Sequence, residues 1–290
     1  MQNPIAEPIY TLKHLSIFLG IPLEVLNNLI DFAQTEYRPY KKTKKSGGYR
    51  IIDNPSDALK APQKQIKKLL LELHTLPSAI LGGVKGYGIK DYALVHVGQK
   101  ELICLDIKNC FPSVTNKMVF SVFRNNYLFS EELASALTKL TTFRGKIPQG
   151  APTSNLLLNI VIIPLCNEIE EICKKNNLKL SFWVDDVTIS GNNARRVLQE
   201  IIPIFHKYGF AIKTKKTIVM PKSNQQTALG LVVNSKVSVS QQKYDQYISD
   251  FYNGISQDQI LGRANHLEYI NENQSKRFMK FVKKRLEDRI

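Results

Sequence analysis

The chain contains no apolar run near the roughly 20 residues needed to cross a bilayer, so an integral membrane protein is not expected. Its first residues, Met1-Gln-Asn-Pro-Ile-Ala-Glu-Pro, lack a basic region followed by an apolar stretch. A secretory leader is therefore not expected, and the cytoplasm is the expected compartment. Cysteine is scarce. The four cysteines (Cys104, Cys110, Cys166, Cys173) form no CxxC pair, which argues against a zinc site and for packed, reduced thiols. No internal repeat or low-complexity block occurs. Acidic residues are also few, with 25 Asp and Glu against 40 Lys and Arg. The resulting net charge of +15 asks for a polyanion, of which nucleic acid is the usual one and an anionic membrane surface the competitor.

What is present is enough apolar material for a core: 43% of 290 residues, or one large domain or two to three small subdomains. Two short helices are expected over 12–19 and 23–32, separated by Gly20-Ile-Pro22. The stretch from Tyr37 to Arg50 interleaves lysines with tyrosines, and its Gly47-Gly48 pair suits a hairpin tip. It is either a solvated loop or a phosphate-binding, base-stacking surface. An amphipathic helix follows over 59–74, and the glycine-rich residues 80–98 are expected to form turns and short strands. Buried strands are expected over 101–106 and 180–184, with helices at 116–140, 154–175 and 193–208 and further strands at 210–212 and 217–220. Alternating strands and helices with a hairpin indicate an α/β or α+β sheet backed by helices. Beyond residue 240 the pattern becomes helical, over 244–252, 257–270 and 274–286. In the last helix Lys276, Lys280, Lys283 and Lys284 oppose Phe278, Phe281 and Val282. That face is either an ordinary solvated one or a track for a phosphate backbone.

The residues that suggest chemistry are Asp106 and the pair Asp185-Asp186, each ending an apolar strand-like run. Adjacent aspartates repel one another unless a cation offsets the charge. Mg²⁺ does so readily, because it takes one or two carboxylates and completes its shell with water or substrate phosphate. If Asp106 lies on a neighbouring strand, the carboxylates suffice for two metals that clamp the attacking and leaving oxygens of a phosphoryl displacement. An Asp-Asp pair alone is more often a turn or a helix cap.

The stretches between these aspartates make the pattern specific. Leu105-Asp106-Ile-Lys-Asn-Cys-Phe111-Pro-Ser113 resembles the first catalytic motif of reverse transcriptases. Ile147-Pro148-Gln149-Gly150-Ala-Pro152-Thr-Ser154 resembles the second, Phe182-Trp183-Val184-Asp185-Asp186 the third, Lys215-Lys216-Thr217 the fourth and Leu229-Gly230-Leu231 the fifth. Tyr49-Arg50-Ile-Ile with Pro55 matches the upstream fingers motif. The order along 49–234 is the family's order. The resemblance implies an α+β right-hand polymerase: fingers and palm with a small antiparallel catalytic sheet backed by helices, plus a short helical thumb. Its divisions would be 1–100 (N-terminal helices, fingers and part of the palm), 101–235 (palm, with a fingers insertion near 116–150) and 236–290 (thumb). It implies metal binding at Asp106, Ile107, Asp185 and Asp186, with two Mg²⁺ ions, or Mn²⁺, as cofactor and the three aspartates as the catalytic residues. For the dNTP it implies Arg50, Phe111 as the gate that excludes a 2′-hydroxyl, Gln149, Gly150 and Lys216, with Lys215 as the substitute for Lys216. Ser154 and Asn155 are expected to cap the next helix.

After the 236–290 stretch no RNase H, maturase or endonuclease domain is expected, and the chain resembles the small bacterial enzymes and the retron reverse transcriptases most. Tyr92-Ala93-Leu94-Val95-His96 has tyrosine where that group's NAxxH element has asparagine, and Ala228-Leu229-Gly230 replaces its Val-Thr-Gly. His96 is either this element's histidine or a core residue. The retron resemblance implies a structured non-coding RNA as template and primer source, synthesis from a guanosine 2′-hydroxyl, and a branched RNA–DNA product. It also implies RNA binding by Lys276, Lys280, Lys283 and Lys284, a role in anti-phage defence and a separate effector protein. An abortive-infection or diversity-generating reverse transcriptase and a non-catalytic RNA-binding protein on a polymerase scaffold are the alternatives. An RNA-dependent RNA polymerase is disfavoured by Phe111.

Overall fold

A computed structural model describes residues 9–44, 47–214 and 217–287. In chain order the strands are β1 (Tyr37–Thr43), β2 (Tyr49–Pro55), β3 (Glu101–Asp106), β4 (Lys179–Trp183), β5 (Asp186–Gly191), β6 (Ile218–Pro221), β7 (Thr227–Ala228), β8 (Leu231–Val232) and β9 (Ser238–Val239). The chain divides into two compact units. One comprises Met1–Pro77, Lys108–Asn167 and Lys207–Phe210; the other comprises Ser78–Ile107, Glu168–His206 and Ala211–Ile290.

In the first unit, β1 and β2 form an antiparallel hairpin with Thr43 opposite Tyr49, so the Gly47-Gly48 tip lies where the sequence placed it. Lys41 lies over the Tyr49 ring, with Tyr40, Tyr49 and Ile51 exposed along the ribbon. The helices Leu12–Leu19 and Leu23–Asp31 break at Gly20, whose φ of 66° ends the first in the left-handed region. Helix Asp57–Leu73 is capped by the Ser56 hydroxyl and buries Leu59, Ile66 and Leu70. The expected 116–140 helix is instead Asn116–Ser121, a π-turn over Val122–Asn126, and Glu131–Thr141. Three polar residues (Asn125, Asn126 and Ser130) lie in or just after the break. The helix expected to be capped by Ser154 or Asn155 begins at Ser154 itself, and the residue before it, Thr153, makes no capping bond.

The second unit carries an antiparallel sheet in the order β4-β5-β3-β6. Strand β3 is interior, paired with β5 on one side and β6 on the other. Its Leu102, Ile103 and Leu105 are fully or almost fully buried, which explains why it reads as a continuous apolar run. The glycine-rich residues 80–98 differ from expectation, because Ile89–Leu94 is a helix. Asp91 accepts from the backbone N–H of Gly88 at 2.7 Å and fixes its first turn, a local bond that hydrophobic periodicity does not register. Residues 210–212 form no strand; Ile212 makes only a single bridge, to Ile107. The small sheet β7-β8-β9 turns at Leu229 and Gly230, both in the left-handed region.

The helices Gln241–Tyr252, Gln257–Ile270 and Glu272–Glu287 close over their own core of Tyr244, Tyr247, Phe251, Leu267, Phe278 and Val282. Ser240 caps the first, and Ser256 with Gln259 forms a capping box on the second. Gln274 clips the third to β9 through both the N–H and the C=O of Val239, at 2.9 Å each. Among the described residues, no helix is long and apolar enough to cross a membrane.

Candidate active site

The two aspartate motifs meet at one end of the four-stranded sheet. Asp106, the last residue of β3, lies directly opposite Asp186, the first residue of β5. Between β4 and β5 the hairpin loop is only Val184-Asp185, since Trp183 pairs with Asp186. A two-residue loop needs positive φ at its first central position, and here a valine supplies it at 59°. For a β-branched residue that conformation costs on the order of 1–3 kcal/mol and persists only where the surroundings impose it. They do so here. The Ile107 N–H donates to the Asp185 carbonyl at 2.8 Å, and the N–H groups of Leu81 and Gly82 both donate to the Phe182 carbonyl.

Gly82 is the closest of these constraints. A Cβ built on it would lie 2.6 Å from the Val184 nitrogen and 2.8 Å from the Trp183 Cα, so only glycine lets this segment press against the hairpin tip.

Alternation puts Trp183, Ser181, Asp186, Thr188 and Ser190 on one face of the hairpin. The Tyr92–His96 segment covers that face. The Tyr92 hydroxyl donates to Thr188 at 2.7 Å, while the two His96 ring nitrogens contact Ser190 at 2.7 Å and Ser181 at 2.6 Å. Asp186 shares that face by the same alternation, and its charge adds to the burial that raises the Tyr92 phenol and the Cys104 thiol. Of its two open readings, then, His96 is a fully buried core residue, and it bolts β4 to β5 below the carboxylates.

Burial pushes the His96 imidazole down to about 3, so it is neutral at physiological pH. The unfolded chain takes up that proton below about pH 6.5 and the folded chain does not, so stability falls from there downward until about pH 3. At pH 5 the loss is about 2 kcal/mol. Urea denaturation at pH 7.5 and pH 5 should show this loss in the wild type beyond any seen in His96→Gln. Equal losses in the two proteins would exclude a buried neutral histidine.

Asp106 is 9% exposed, and its carboxylate Oδ1 accepts from the Lys213 ammonium. The Lys213 backbone N–H also donates to the Asp106 carbonyl at 2.9 Å, next to the Ile107–Ile212 bridge. Hard oxygen donors at a strand end and a hairpin tip, one of them already holding a cation, fit Mg²⁺ or Mn²⁺. No group of three or more His, Cys, Asp or Glu residues able to hold a metal occurs among the described residues. That is compatible with Mg²⁺, which usually fills its shell from substrate phosphates rather than from an all-protein cage.

The candidates Arg50, Phe111, Gln149 and Gly150 lie in the first unit. The Gln149 carbonyl accepts from the Asp53 N–H at 2.9 Å, and Gly150 (φ 136°) sits so close to β2 that a Cβ would meet Ile52 at 2.8 Å. The Gln149-Gly150 turn thus lies against the strand that bears Arg50, whose side chain is exposed. Phe111 is half-buried in the one-turn helix Cys110–Ser113 that follows Asn109, itself in the left-handed region. Lys215 and Lys216 lie outside the described residues. On the last helix Lys276 pairs with Glu272 across one turn, and Lys280, Lys283 and Lys284 are exposed.

Sequence reasoning missed Lys213 and Gly82. Lys213 had a faint signal, being the first lysine of a Lys-Thr-Lys-Lys run whose later members attracted the motif. Ser181 and Ser190 were also overlooked, although hydroxyls within buried strands call for a partner.

Comparison with known proteins agrees with this geometry. Residues 41–233 match the family model described as reverse transcriptase (RNA-dependent DNA polymerase). The Retron Se72 reverse transcriptase of Salmonella heidelberg (strain 579083-10) is 29% identical over 254 residues, covering 83% of this chain and 67% of that protein. The Retron Ec86 reverse transcriptase of Escherichia coli is 28% identical over 256 residues, covering 86% of this chain and 78% of that protein. Among solved structures, apo telomerase from Candida tropicalis superposes with a TM-score of 0.51 at 14% identity, over 75% of this chain and 59% of that one, a likeness of fold alone. The right-hand polymerase architecture follows, and enzymes of this kind work with divalent metal ions. The chain belongs to the reverse transcriptase family and is an RNA-directed DNA polymerase, similar to those of bacterial retrons.

Proposed function

We propose that this polymerase copies one structured non-coding RNA into single-stranded DNA in a retron-type system of anti-phage defence, by two-metal nucleotidyl transfer. The observation that carries the reading is the cross-strand pair Asp106–Asp186 with Asp185 at the adjoining hairpin tip. Similarity to several retron enzymes at 26–29% identity supports the choice of RNA.

In this reading Asp106 and Asp185 hold the metals, and the Ile107 carbonyl adds an oxygen. Asp186, directly opposite Asp106, adds charge to the site and serves as a weaker ligand. When bound, the two ions neutralise charge on the attacking and leaving oxygens of the displacement. The protein's own part is positioning. The rigid hairpin fixes Asp185 relative to Asp106, and the Phe111 ring rejects a 2′-hydroxyl. Gln149-Gly150 offers the nucleotide a close backbone approach. Arg50 engages the triphosphate with its guanidinium fork, and Lys216 adds an ammonium. The fingers, palm and thumb divide at about residues 100 and 235. The exposed Lys280, Lys283 and Lys284, with Lys276, bind the RNA by shape through its phosphates. An effector protein acts separately.

The test has two arms, both on purified protein. Supplied with a primed RNA template, Mg²⁺ and labelled dNTPs, it should make template-length DNA. Sequencing of the co-purifying nucleic acid should return one structured RNA joined to DNA. Template copying without any such RNA–DNA molecule would keep the polymerase and discard the retron assignment. Absence of both products would discard the whole reading.

A further inference from the structure

The ion pair at Asp106 leads beyond the assignment of the metal ligands. Lys213 follows Ile212, whose bridge to Ile107 and whose neighbour's N–H bond to the Asp106 carbonyl hold this segment alongside the end of β3. The lysine therefore reaches Asp106 from a fixed backbone rather than from a loose loop. Its ammonium contacts Oδ1 of a carboxylate whose side chain is 13% exposed, while its own side chain is 33% exposed. The carboxylate is largely shielded from water, and the ammonium keeps a route to solvent.

A shielded carboxylate beside a second aspartate motif needs a positive neighbour at all times. A divalent ion on Asp106 would compete for the same oxygen and repel the ammonium at close range. Lysine suits such exchange, since its flexible stem carries a single hydrated charge that can withdraw, whereas an arginine fork would hold the carboxylate with two bonds.

We propose that Lys213 is a resident counter-ion of the carboxylate centre: it neutralises Asp106 while no metal is bound, leaves that oxygen when a divalent ion arrives, and thereby sets how much metal the enzyme needs. The proposal rests on Asp106 being a metal ligand. Lys213 acts here as a positioning residue, through Asp106. It holds that carboxylate in its binding orientation and weakens metal affinity in return.

Direct titration with Mn²⁺ alone, followed by the electron paramagnetic resonance signal of the free ion, tests this without reference to turnover. The full-length protein, free of RNA and nucleotide, is compared with Lys213→Met, Lys213→Arg and Asp106→Asn. Loss of the positive charge in Lys213→Met should tighten Mn²⁺ binding roughly three- to tenfold, the range for a partly screened unit charge. Lys213→Arg, which keeps the charge, should bind no more tightly than the wild type, and Asp106→Asn should bind much more weakly. Wild-type or weaker affinity in Lys213→Met, with Asp106→Asn impaired, overturns the counter-ion proposal and leaves the metal assignment standing. Unimpaired binding in Asp106→Asn overturns the assignment, and the proposal with it. Should Lys213→Met not fold, Lys213→Gln replaces it under the same criteria.

Discussion

Replacing both Asp185 and Asp186 with alanine should reduce DNA synthesis on a primed RNA template by at least about a thousandfold, while RNA affinity stays within about twofold of the wild type. The separation is expected because the proposed function assigns the two tasks to different surfaces. The aspartates occupy a hairpin tip at the end of a buried sheet, whereas the exposed lysines lie along the last helix. The substitution also removes negative charge, so RNA affinity should rise slightly if it moves at all. Folding should survive, because the hairpin keeps the Ile107 N–H bond to the Asp185 carbonyl and the Leu81 and Gly82 N–H bonds to the Phe182 carbonyl. Primer extension and filter binding on the same preparations decide the matter. Residual synthesis above a few per cent would remove these carboxylates from the chemistry, and loss of RNA binding would show that the centre and the RNA surface are not separable.

Gly82→Ala should be almost as damaging, although Gly82 bears no chemistry. An added Cβ would stand 2.6–2.9 Å from backbone atoms of Trp183 and Val184, and backbone cannot swing aside as a side-chain end can. Either the 81–82 segment withdraws and loses its bonds to the Phe182 carbonyl, or the hairpin tip shifts and carries Asp185 with it. Overpacking of this kind costs about 1–3 kcal/mol, and a displacement of about 1 Å at reacting groups can cost about a hundredfold in rate. Gly262→Ala supplies the control. It lies within a helix with nothing inside 4 Å of its Cβ position, and alanine there should stabilise by about 0.5–1 kcal/mol without affecting synthesis. Urea melts and primer extension on both variants make the comparison. A Gly82→Ala protein with wild-type stability and activity would show that the hairpin tip is not held from that side.

The contrast between these two positions explains what the sequence disclosed. Asp106, Asp185 and Asp186 were legible because each ends an apolar run, and such runs survive as local patterns whatever packs on them. Motif order supplied the further candidates Phe111 and Gln149-Gly150. Gly82 was counted among several glycines but not singled out, because its necessity comes from residues a hundred positions later. Lys213 had the same difficulty, since its partner is Asp106 and the ion pair depends on the Ile107–Ile212 bridge. The Ile89–Leu94 helix was misjudged because glycine density outweighed a short pattern that the Asp91 bond to Gly88 and the Tyr92 bond to Thr188 hold in place. His96 could be settled only by seeing both of its ring nitrogens engaged.

Strand β3 has one further consequence. It carries Asp106 and is bonded to β5 along its whole length, but to β6 only over Glu101–Cys104, and β6 is the edge strand of the sheet. Amide protons of β3 that bond to β5 should therefore exchange more slowly than those that bond to β6, which detachment of one edge strand exposes. On heating, the Asp106–Asp186 pairing should outlast the pairing of β3 with β6.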